Sequence, residues 1–203
     1  MSRAEMTVRT RARLARAAVT LFAEQPYDQT SVGDIAAAAG VTKGAFYHHY
    51  AGKEELLRSV QHELLDEAIA ASAEIVARRL PPREELRELV RLHLTAVIEH
   101  RQILSVSVPE RRSGGPAEWA VIKAKRDRIE AFVVDAIVRG SALGAFTATG
   151  DPRLLAYGLL GMCYWSNVWF RRDGRWGFDE IVDRLADLAL DGLNGTPSSG
   201  VSV

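Results

Sequence analysis

The sequence predicts an all-α protein, and three observations support that prediction. Apolar residues recur at the three- and four-residue spacing of helices through most of the 203 residues, and the alternation typical of half-buried strands is missing. β-Branched residues are scattered among alanines and leucines rather than gathered in short runs. Glycine and proline stand between the apolar stripes, where they begin or end helices.

The expected elements follow from these breaks. Gly40 ends the second helix because glycine adopts the left-handed conformation without strain, and Pro81-Pro82 stops the fourth. Pro152 suits the first turn of a helix, and Ser113-Gly114-Gly115-Pro116 forms the clearest linker. About nine helices are therefore expected, over residues 9–24, 32–39, 42–50, 53–80, 83–99, 100–109, 117–143, 152–171 and 178–195.

Composition places the chain among ordinary globular proteins, with 47% hydrophobic and 26% charged residues. No run is long and apolar enough for a membrane-spanning helix, and the N-terminus lacks the apolar core of a signal peptide. The single cysteine, Cys163, excludes an internal disulfide and gives no metal-ligand pattern. A cytoplasmic protein without membrane association, metal or cofactor is expected.

The net charge of zero hides an uneven distribution. Residues 1–53 hold seven basic and four acidic side chains, a net charge of +3, which leaves −3 for the rest of the chain. This distribution is consistent with an N-terminal segment that binds phosphate groups and a remainder of the chain that has another role.

Residues 30–53 carry the spacing of a helix-turn-helix. Ala36 supplies the small residue needed where two helices cross, and Gly40 allows the turn four positions later. Val41, Phe46 and Tyr50 then fill a small core, lined from the other side by Ile35 and Leu21.

This packing leaves the polar face of the third helix exposed, with the composition of a helix that enters a major groove. Tyr47, His49 and Lys53 are expected to reach phosphates and fix the register. Glycine turns between helices are common, so an interaction module without DNA binding is the alternative. The predicted exposed residues are Thr42, Lys43, Gly44, Tyr47, His48 and His49.

The run TSVGDIAAAAGVTKGAFYHHYAGKEELL, with the preceding ARAAVTLFAEQPYDQTSV, closely resembles the DNA-binding segment of the tetracycline-repressor family of transcriptional regulators. The resemblance covers roughly residues 9 to 60. It implies DNA contacts from Ser31 or Val32, from the same residues of the third helix, and from Lys53. Pro26 stands where the family more often has glycine, which concerns only the local loop.

The resemblance also implies a dimer and a helical C-terminal domain that binds a small effector. We expect a DNA-binding domain over 1–52, a ligand-binding and dimerisation domain over 53–195, and a disordered tail over 196–203. A single helix-turn-helix spans few base pairs, so two copies roughly 34–36 Å apart are the usual arrangement. The helix near 154–169 is apolar nearly all round and must be covered on every side, which favours an interface there. The predicted interface residues are Leu155, Gly158, Gly161, Leu185 and Leu188.

Aromatic side chains in the C-terminal half supply flat surfaces for a lipophilic effector, and His93 offers a polar contact. The aromatic cluster near Tyr164, followed by Arg171-Arg172, resembles family members that sense acyl-coenzyme A thioesters. Drug-like or other lipophilic ligands stay open as alternatives. The predicted pocket residues are His93, Val97, Trp119, Phe132, Met162, Trp165 and Trp169.

An uncharacterised helical enzyme is the remaining alternative, and the motifs argue against it. His48 and His49 are adjacent, whereas two metal ligands on a helix stand three or four residues apart. The string Gly140-Ser141-Ala142-Leu143-Gly144 has its serine in the wrong place for a nucleophile elbow. No glycine-rich phosphate loop is present. We therefore predict no catalytic residues.

Overall fold

The computed structural model of the protein describes residues 2–101, 103, 115–148, 150–171 and 173–193. Every regular element within these ranges is helical, which confirms the all-α prediction, and none of the helices there has the length and apolar character to cross a membrane. A 3₁₀ turn covers Tyr27–Gln29. The α-helices are α1 (Arg3–Glu24), α2 (Val32–Ala38), α3 (Lys43–Tyr47), α4 (Lys53–Ala77), α5 (Pro82–Glu99), α6 (Gly115–Ala142), α7 (Pro152–Trp169) and α8 (Phe178–Gly192).

Eight α-helices in the described ranges are close to the nine expected. The predicted short helix over 100–109 lies outside these ranges except for His100, which is in a turn, and for Arg101 and Ile103, which are both helical. The predicted tail over 196–203 lies outside them altogether.

The chain divides into two compact units. The first comprises Met1–Asp66 with Glu99–Ile122, and the second comprises Glu67–Ile98 with Lys123–Val203. Helices α4 and α6 therefore each contribute residues to both units. A domain boundary after residue 52 would coincide with the start of α4, and it stays a prediction.

Helix α1 begins at Arg3, six residues before the predicted start at Arg9. The cause is a capping box: the Glu5 amide donates to the Ser2 hydroxyl at 3.1 Å, and the Ser2 amide donates to the Glu5 carboxylate at 2.7 Å. The capping residues satisfy amide groups that the first turn would otherwise leave unpaired. The Ser-x-x-Glu pattern is present in the sequence, but it consists of polar residues and is not part of the apolar stripe from which the helix start was predicted.

The first unit has its own core, to which α1, α2, the following turn, α3 and the start of α4 contribute side chains. Phe22, Ile35 and Phe46 are fully buried in it together with Tyr50. Val41 and Leu21 pack against this cluster in partly buried positions, as the sequence predicted. Ala36 is 2% exposed, which confirms that a small side chain occupies the crossing of the two helices.

The second unit packs α5, α6, α7 and α8 around a larger apolar core. Arg87 on α5 donates to Asp187 at 2.5 Å and to Asp183 at 3.4 Å, so ion pairs from a half-buried arginine join α5 to α8. The Asp187 carboxylate raises the pKa of Arg87. Gly140 on α6 allows the Phe146 ring to lie against the helix, since a Cβ there would come within 2.2 Å of the ring.

Candidate nucleic-acid interface

The turn between α2 and α3 is built by two caps and one glycine. Gly40 has φ +63° and donates to Ala37 O at 2.9 Å, while the Val41 amide donates to Ala36 O at 2.9 Å. This pair of bonds closes the end of α2 in the way that requires a left-handed residue. The Thr42 hydroxyl then accepts from the Ala45 amide at 3.1 Å and begins α3.

Helix α3 turns one side to the core and the other to solvent. Phe46 is 0% exposed, whereas Tyr47 beside it is 53% exposed. Because adjacent helical positions differ by about 100°, burial of Phe46 directs its neighbours outward. The predicted contact residues that lie exposed are Thr42, Lys43, Gly44, Tyr47 and His48, and His49 is half-buried.

The two predicted contact residues at the start of α2 differ in exposure. Ser31, which precedes the helix, is exposed, and Val32, its first residue, is half-buried. Ser31 caps α2, and the Asp34 carboxylate accepts from the Ser31 hydroxyl at 2.6 Å and from its amide at 2.8 Å. These hydrogen bonds from Ser31, the hydroxyl first and the amide second, hold the pKa of Asp34 below its usual value. The cap fixes the backbone at the end of α2 that is predicted to approach DNA.

Lys53, predicted to reach a phosphate, has partners inside the first unit. Its Nζ donates to Tyr27 O at 2.6 Å and to Thr30 O at 2.9 Å, and it lies 4.0 Å from the centre of the Tyr27 ring. These bonds tie the start of α4 to the segment before α2. An ammonium group has three protons, so one remains for the predicted phosphate contact.

Sequence reasoning missed the roles of two arginines on α1. Arg11 donates to His49 O at 3.0 Å, and Arg13 donates to Gly40 O at 3.1 Å. The sequence presents both as part of the basic N-terminal segment, and their distant partners depend on how α1 packs against the segment from Gly40 to His49. A position in the sequence alone gives no signal for such a contact.

The predicted pocket residues do not all fall together. His93 and Val97 are buried one turn apart on α5, and Phe132 and Met162 are half-buried on α6 and α7, all within the second unit. Trp119 belongs to the first unit. Two further predicted residues, Trp165 and Trp169, lie exposed on α7 rather than in the interior of the second unit.

His93 is the buried polar group of the second unit with an unsatisfied ring nitrogen. Its side chain is 7% exposed, and Nε2 has no hydrogen-bond partner. Burial lowers the pKa of His93 to about 4, so the ring is neutral near pH 7. A neutral imidazole in an apolar surrounding is suited to hydrogen-bond a polar group of a bound ligand.

Helix α7 exposes one continuous apolar face. Ala156, Leu159 and Cys163 on the opposite side are buried in the second-unit core. Gly158 and Gly161 lie in the exposed face, and a Cβ added to either would meet nothing within 4 Å. The α7 face, as we call it, comprises Leu154, Tyr157, Gly158, Gly161, Tyr164, Trp165, Val168 and Trp169.

The remaining predicted interface residues differ in their surroundings. Leu155 and Leu185 are partly buried and pack against the core of their own unit. Leu188 on α8 is 59% exposed. Four exposed residues of the α7 face, Leu154, Tyr157, Tyr164 and Val168, were not among the predicted interface residues, although their three- and four-residue spacing around the two glycines was a usable signal for one shared side of the helix.

Other chemistry receives little support from the residues that the structure describes. Among them, no group of three or more histidine, cysteine or acidic side chains is arranged to hold a metal ion. Cys163 is 2% exposed, and burial raises the pKa of its thiol to about 12. A thiol at that pKa is not a nucleophile near neutral pH.

Two models of known protein families match most of the chain. Residues 14–60 match the bacterial regulatory proteins of the tetR family, and residues 79–193 match the tetracyclin repressor-like C-terminal domain. The first match contains the helix-turn-helix and the first residues of α4. The second contains α5, α6, α7 and α8.

Individual proteins give the same picture along their full length. The transcriptional repressor KstR2 of Mycolicibacterium smegmatis is 27% identical over 190 residues, which are 92% of this chain and 91% of that protein. The crystal structure of the TetR-family regulator PfmR from Thermus thermophilus is similar at a TM-score of 0.76 and 32% identity, covering 90% of this chain and all of that one. The structure of AibR in complex with isovaleryl coenzyme A and operator DNA is similar at a TM-score of 0.74 and 28% identity, covering 90% and 98%.

The burial of His93 predicts a specific loss of stability in mild acid. Unfolded histidine titrates near pH 6.5 and His93 in the folded chain near 4, so between these values the unfolded state binds the extra proton. Stability is therefore lost as the pH falls through this window, by about 2 kcal/mol between pH 7 and pH 5.

The measurement is urea unfolding of the wild type and of His93→Leu at pH 8, 7 and 5. The variant should lose less stability than the wild type between pH 7 and pH 5, and the two should change nearly alike between pH 8 and pH 7, where the ring is mostly neutral in either state. Equal losses between pH 7 and pH 5 would show that His93 is accessible to protons in the folded protein.

Proposed function

The chain belongs to the tetR family of bacterial regulatory proteins, and we propose that it is a dimeric repressor that binds operator DNA and responds to a small lipophilic effector. The exposed polar side of α3, beside a capped turn and a buried Phe46, is the observation that carries this proposal. Similarity to the KstR2 repressor over 92% of this chain supports repression as the mode of regulation. The proposed function includes no catalytic step. We place the protein in the cytoplasm, because a bacterial regulator binds the chromosomal DNA there.

In the proposed complex, α3 enters the major groove of the DNA, and the residues that flank α3 contact the DNA phosphate backbone. Thr42 and Lys43 stand at the N-terminal end of α3, where recognition helices contact base edges. Gly44 lets the backbone approach closely, and Tyr47 and His48 lie exposed on the same short helix. Two copies related by a two-fold axis read the two halves of a palindromic operator.

The α7 face is the surface proposed for the dimer, together with Leu188 of α8. Its aromatic and aliphatic groups form a continuous patch on a helix whose other side is buried. Patches of this kind mark interaction sites in folded proteins. The two glycines allow close approach of a second backbone.

The effector site is proposed in the second unit, around His93, Val97, Phe132 and Met162. Apolar side chains there accept a hydrocarbon group, and the free Nε2 of His93 binds a polar atom such as a thioester oxygen. AibR, similar along 90% of this chain, has been solved with isovaleryl coenzyme A. An acyl-coenzyme A thioester is therefore the effector class we favour.

Effector binding reaches the DNA-binding residues through helices shared by the two units. Helix α4 contributes Lys53 to the first unit and its C-terminal half to the second. A ligand that favours one arrangement of α4 changes the separation of the two α3 helices in the dimer. Coupling of about 1–3 kcal/mol between the two sites is typical of such linkage.

DNA binding is tested by DNase footprinting of the region upstream of the protein's own coding sequence. The wild type should protect a palindromic site, and Lys43→Ala and Tyr47→Ala should weaken that protection. In a salt titration, loss of the Lys43 charge should make the dependence of log K on log salt shallower by about one unit per subunit, whereas loss of the neutral Tyr47 side chain should reduce the affinity at an unchanged slope.

Lys123→Ala is the matched control for charge, since Lys123 is an exposed lysine on α6 whose partner is Asp127 at 2.6 Å. It should keep the wild-type affinity and slope. Wild-type affinity in both α3 variants, across the whole salt range, would remove Lys43 and Tyr47 from the interface.

The dimer is tested by Gly161→Phe on the α7 face. A Cβ at position 161 would meet nothing within 4 Å in the isolated chain, and phenylalanine has a higher helix propensity than glycine. The variant should fold and yet dissociate at concentrations where the wild type is dimeric, as measured by analytical ultracentrifugation.

Val138→Phe adds a ring to an exposed position of α6 and serves as the control. Its association state should match that of the wild type. A Gly161→Phe protein that stays dimeric at wild-type concentrations would place the interface elsewhere.

The effector is tested by thermal shift with acyl-coenzyme A thioesters of increasing chain length, with coenzyme A and free fatty acids in parallel. A ligand at a hundred times its dissociation constant stabilises the folded state by about 2.7 kcal/mol. A thioester of matching length should raise Tm and release the footprint, and His93→Leu should reduce the shift. A flat panel would exclude thioesters and leave other lipophilic compounds.

A further inference from the structure

Helix α3 is too short to hold its own position. It has five residues, from Lys43 to Tyr47, and isolated helices shorter than about 12 residues are marginal in water. Phe46 anchors its centre in the core of the first unit. Phe46 is the buried residue within the helix itself, so the orientation of α3 also depends on contacts at its two ends, where Val41 and Tyr50 pack against the same core.

Arg11 of α1 binds the C-terminal end. Its Nη1 donates to the carbonyl of His49 at 3.0 Å, and its Nη2 lies 3.5 Å from the Ser59 hydroxyl of α4. The guanidinium carbon is 4.4 Å from the centre of the Tyr50 ring. A single planar group therefore joins α1, the end of α3 and α4, an arrangement that the fork of an arginine allows and a lysine does not.

Arg13, two positions further along α1, binds the turn before α3. Its Nη2 donates to the carbonyl of Gly40 at 3.1 Å. The φ of +63° favours glycine at position 40, and a Cβ there would come within 2.7 Å of the same Nη2 and displace the guanidinium from this carbonyl. Both ends of the turn-and-helix segment are thus attached to one rigid helix.

We propose that Arg11 and Arg13 are positioning residues for operator recognition. They orient α3 by binding the carbonyls at its two ends, and they do not neutralise phosphates themselves. This inference rests on the proposed DNA-binding function. It changes the meaning of two cations that the sequence presented only as part of a basic N-terminal segment.

The DNA experiment separates geometry from charge, using the full-length dimer and the operator fragment defined by footprinting. Arg11→Met and Arg11→Lys should each weaken binding about tenfold, equivalent to about 1.4 kcal/mol, with the wild-type salt slope. A phosphate contact predicts instead that Arg11→Lys keeps its affinity and that Arg11→Met loses about one unit of slope per subunit. That second pattern, or wild-type affinity in both variants, would overturn the proposal.

Arg13→Met repeats the test at the other end of the segment. It is expected to give the same loss at an unchanged slope. Arg16→Met is the matched control, because Arg16 is an exposed arginine of the same helix. A control that weakens binding as much as the Arg11 variants would point to the general charge of α1 and contradict a positioning role.

Hydrogen exchange without DNA gives an independent readout. In Arg11→Lys, the amides of residues 46–50 should exchange about tenfold faster than in the wild type, and the amides of the second-unit core should exchange at the wild-type rate. In the control Arg16→Met, all of these amides should exchange at the wild-type rate. Unchanged exchange at residues 46–50 would contradict the proposal even if the wild type bound no operator. Failure of the wild type to bind, with the local effect present, would sink the proposed function alone.

Discussion

The burial of Phe46 and Tyr50 is the constraint on which the DNA-binding surface depends. Fully burying an aromatic side chain of this size contributes about 1.5–3 kcal/mol, which a five-residue helix cannot obtain from its own hydrogen bonds. With Phe46 buried in the core of the first unit, the helical repeat places Lys43, Gly44 and Tyr47 on the side away from that core. The surface follows from the packing of residues that never touch DNA.

Local features of this region could be predicted because each has one dominant cause. Gly40 had to be left-handed for the turn, and Ala36 had to be small for the helix crossing. The start of α1 was wrong by six residues because a cap that carries no apolar residue leaves no trace in a hydrophobic pattern. The bonds of Arg11 and Arg13 were beyond reach, since they join residues 38 and 27 positions apart.

The C-terminal half shows a different limit of sequence reasoning. An apolar pattern all round α7 predicts that every side is covered, but it does not tell which side faces the chain's own core and which faces a partner. The structure places Cys163 on the side that faces the chain's own core and Trp165 on the exposed side. Pocket residues depend on which helices neighbour one another, so aromatic type alone grouped Trp119 with residues of a different unit.

The use of charge in the first unit is the last consequence of its packing. Of the seven cations in residues 1–53, Arg11 and Arg13 bind backbone carbonyls and Lys53 donates two of its protons inside the unit. Cations held in this way lower the number of counterions that DNA binding releases, and with it the salt dependence expected from a simple count. In exchange, the exposed Lys43 is held at a defined place, and placement rather than total charge allows two subunits to match successive grooves.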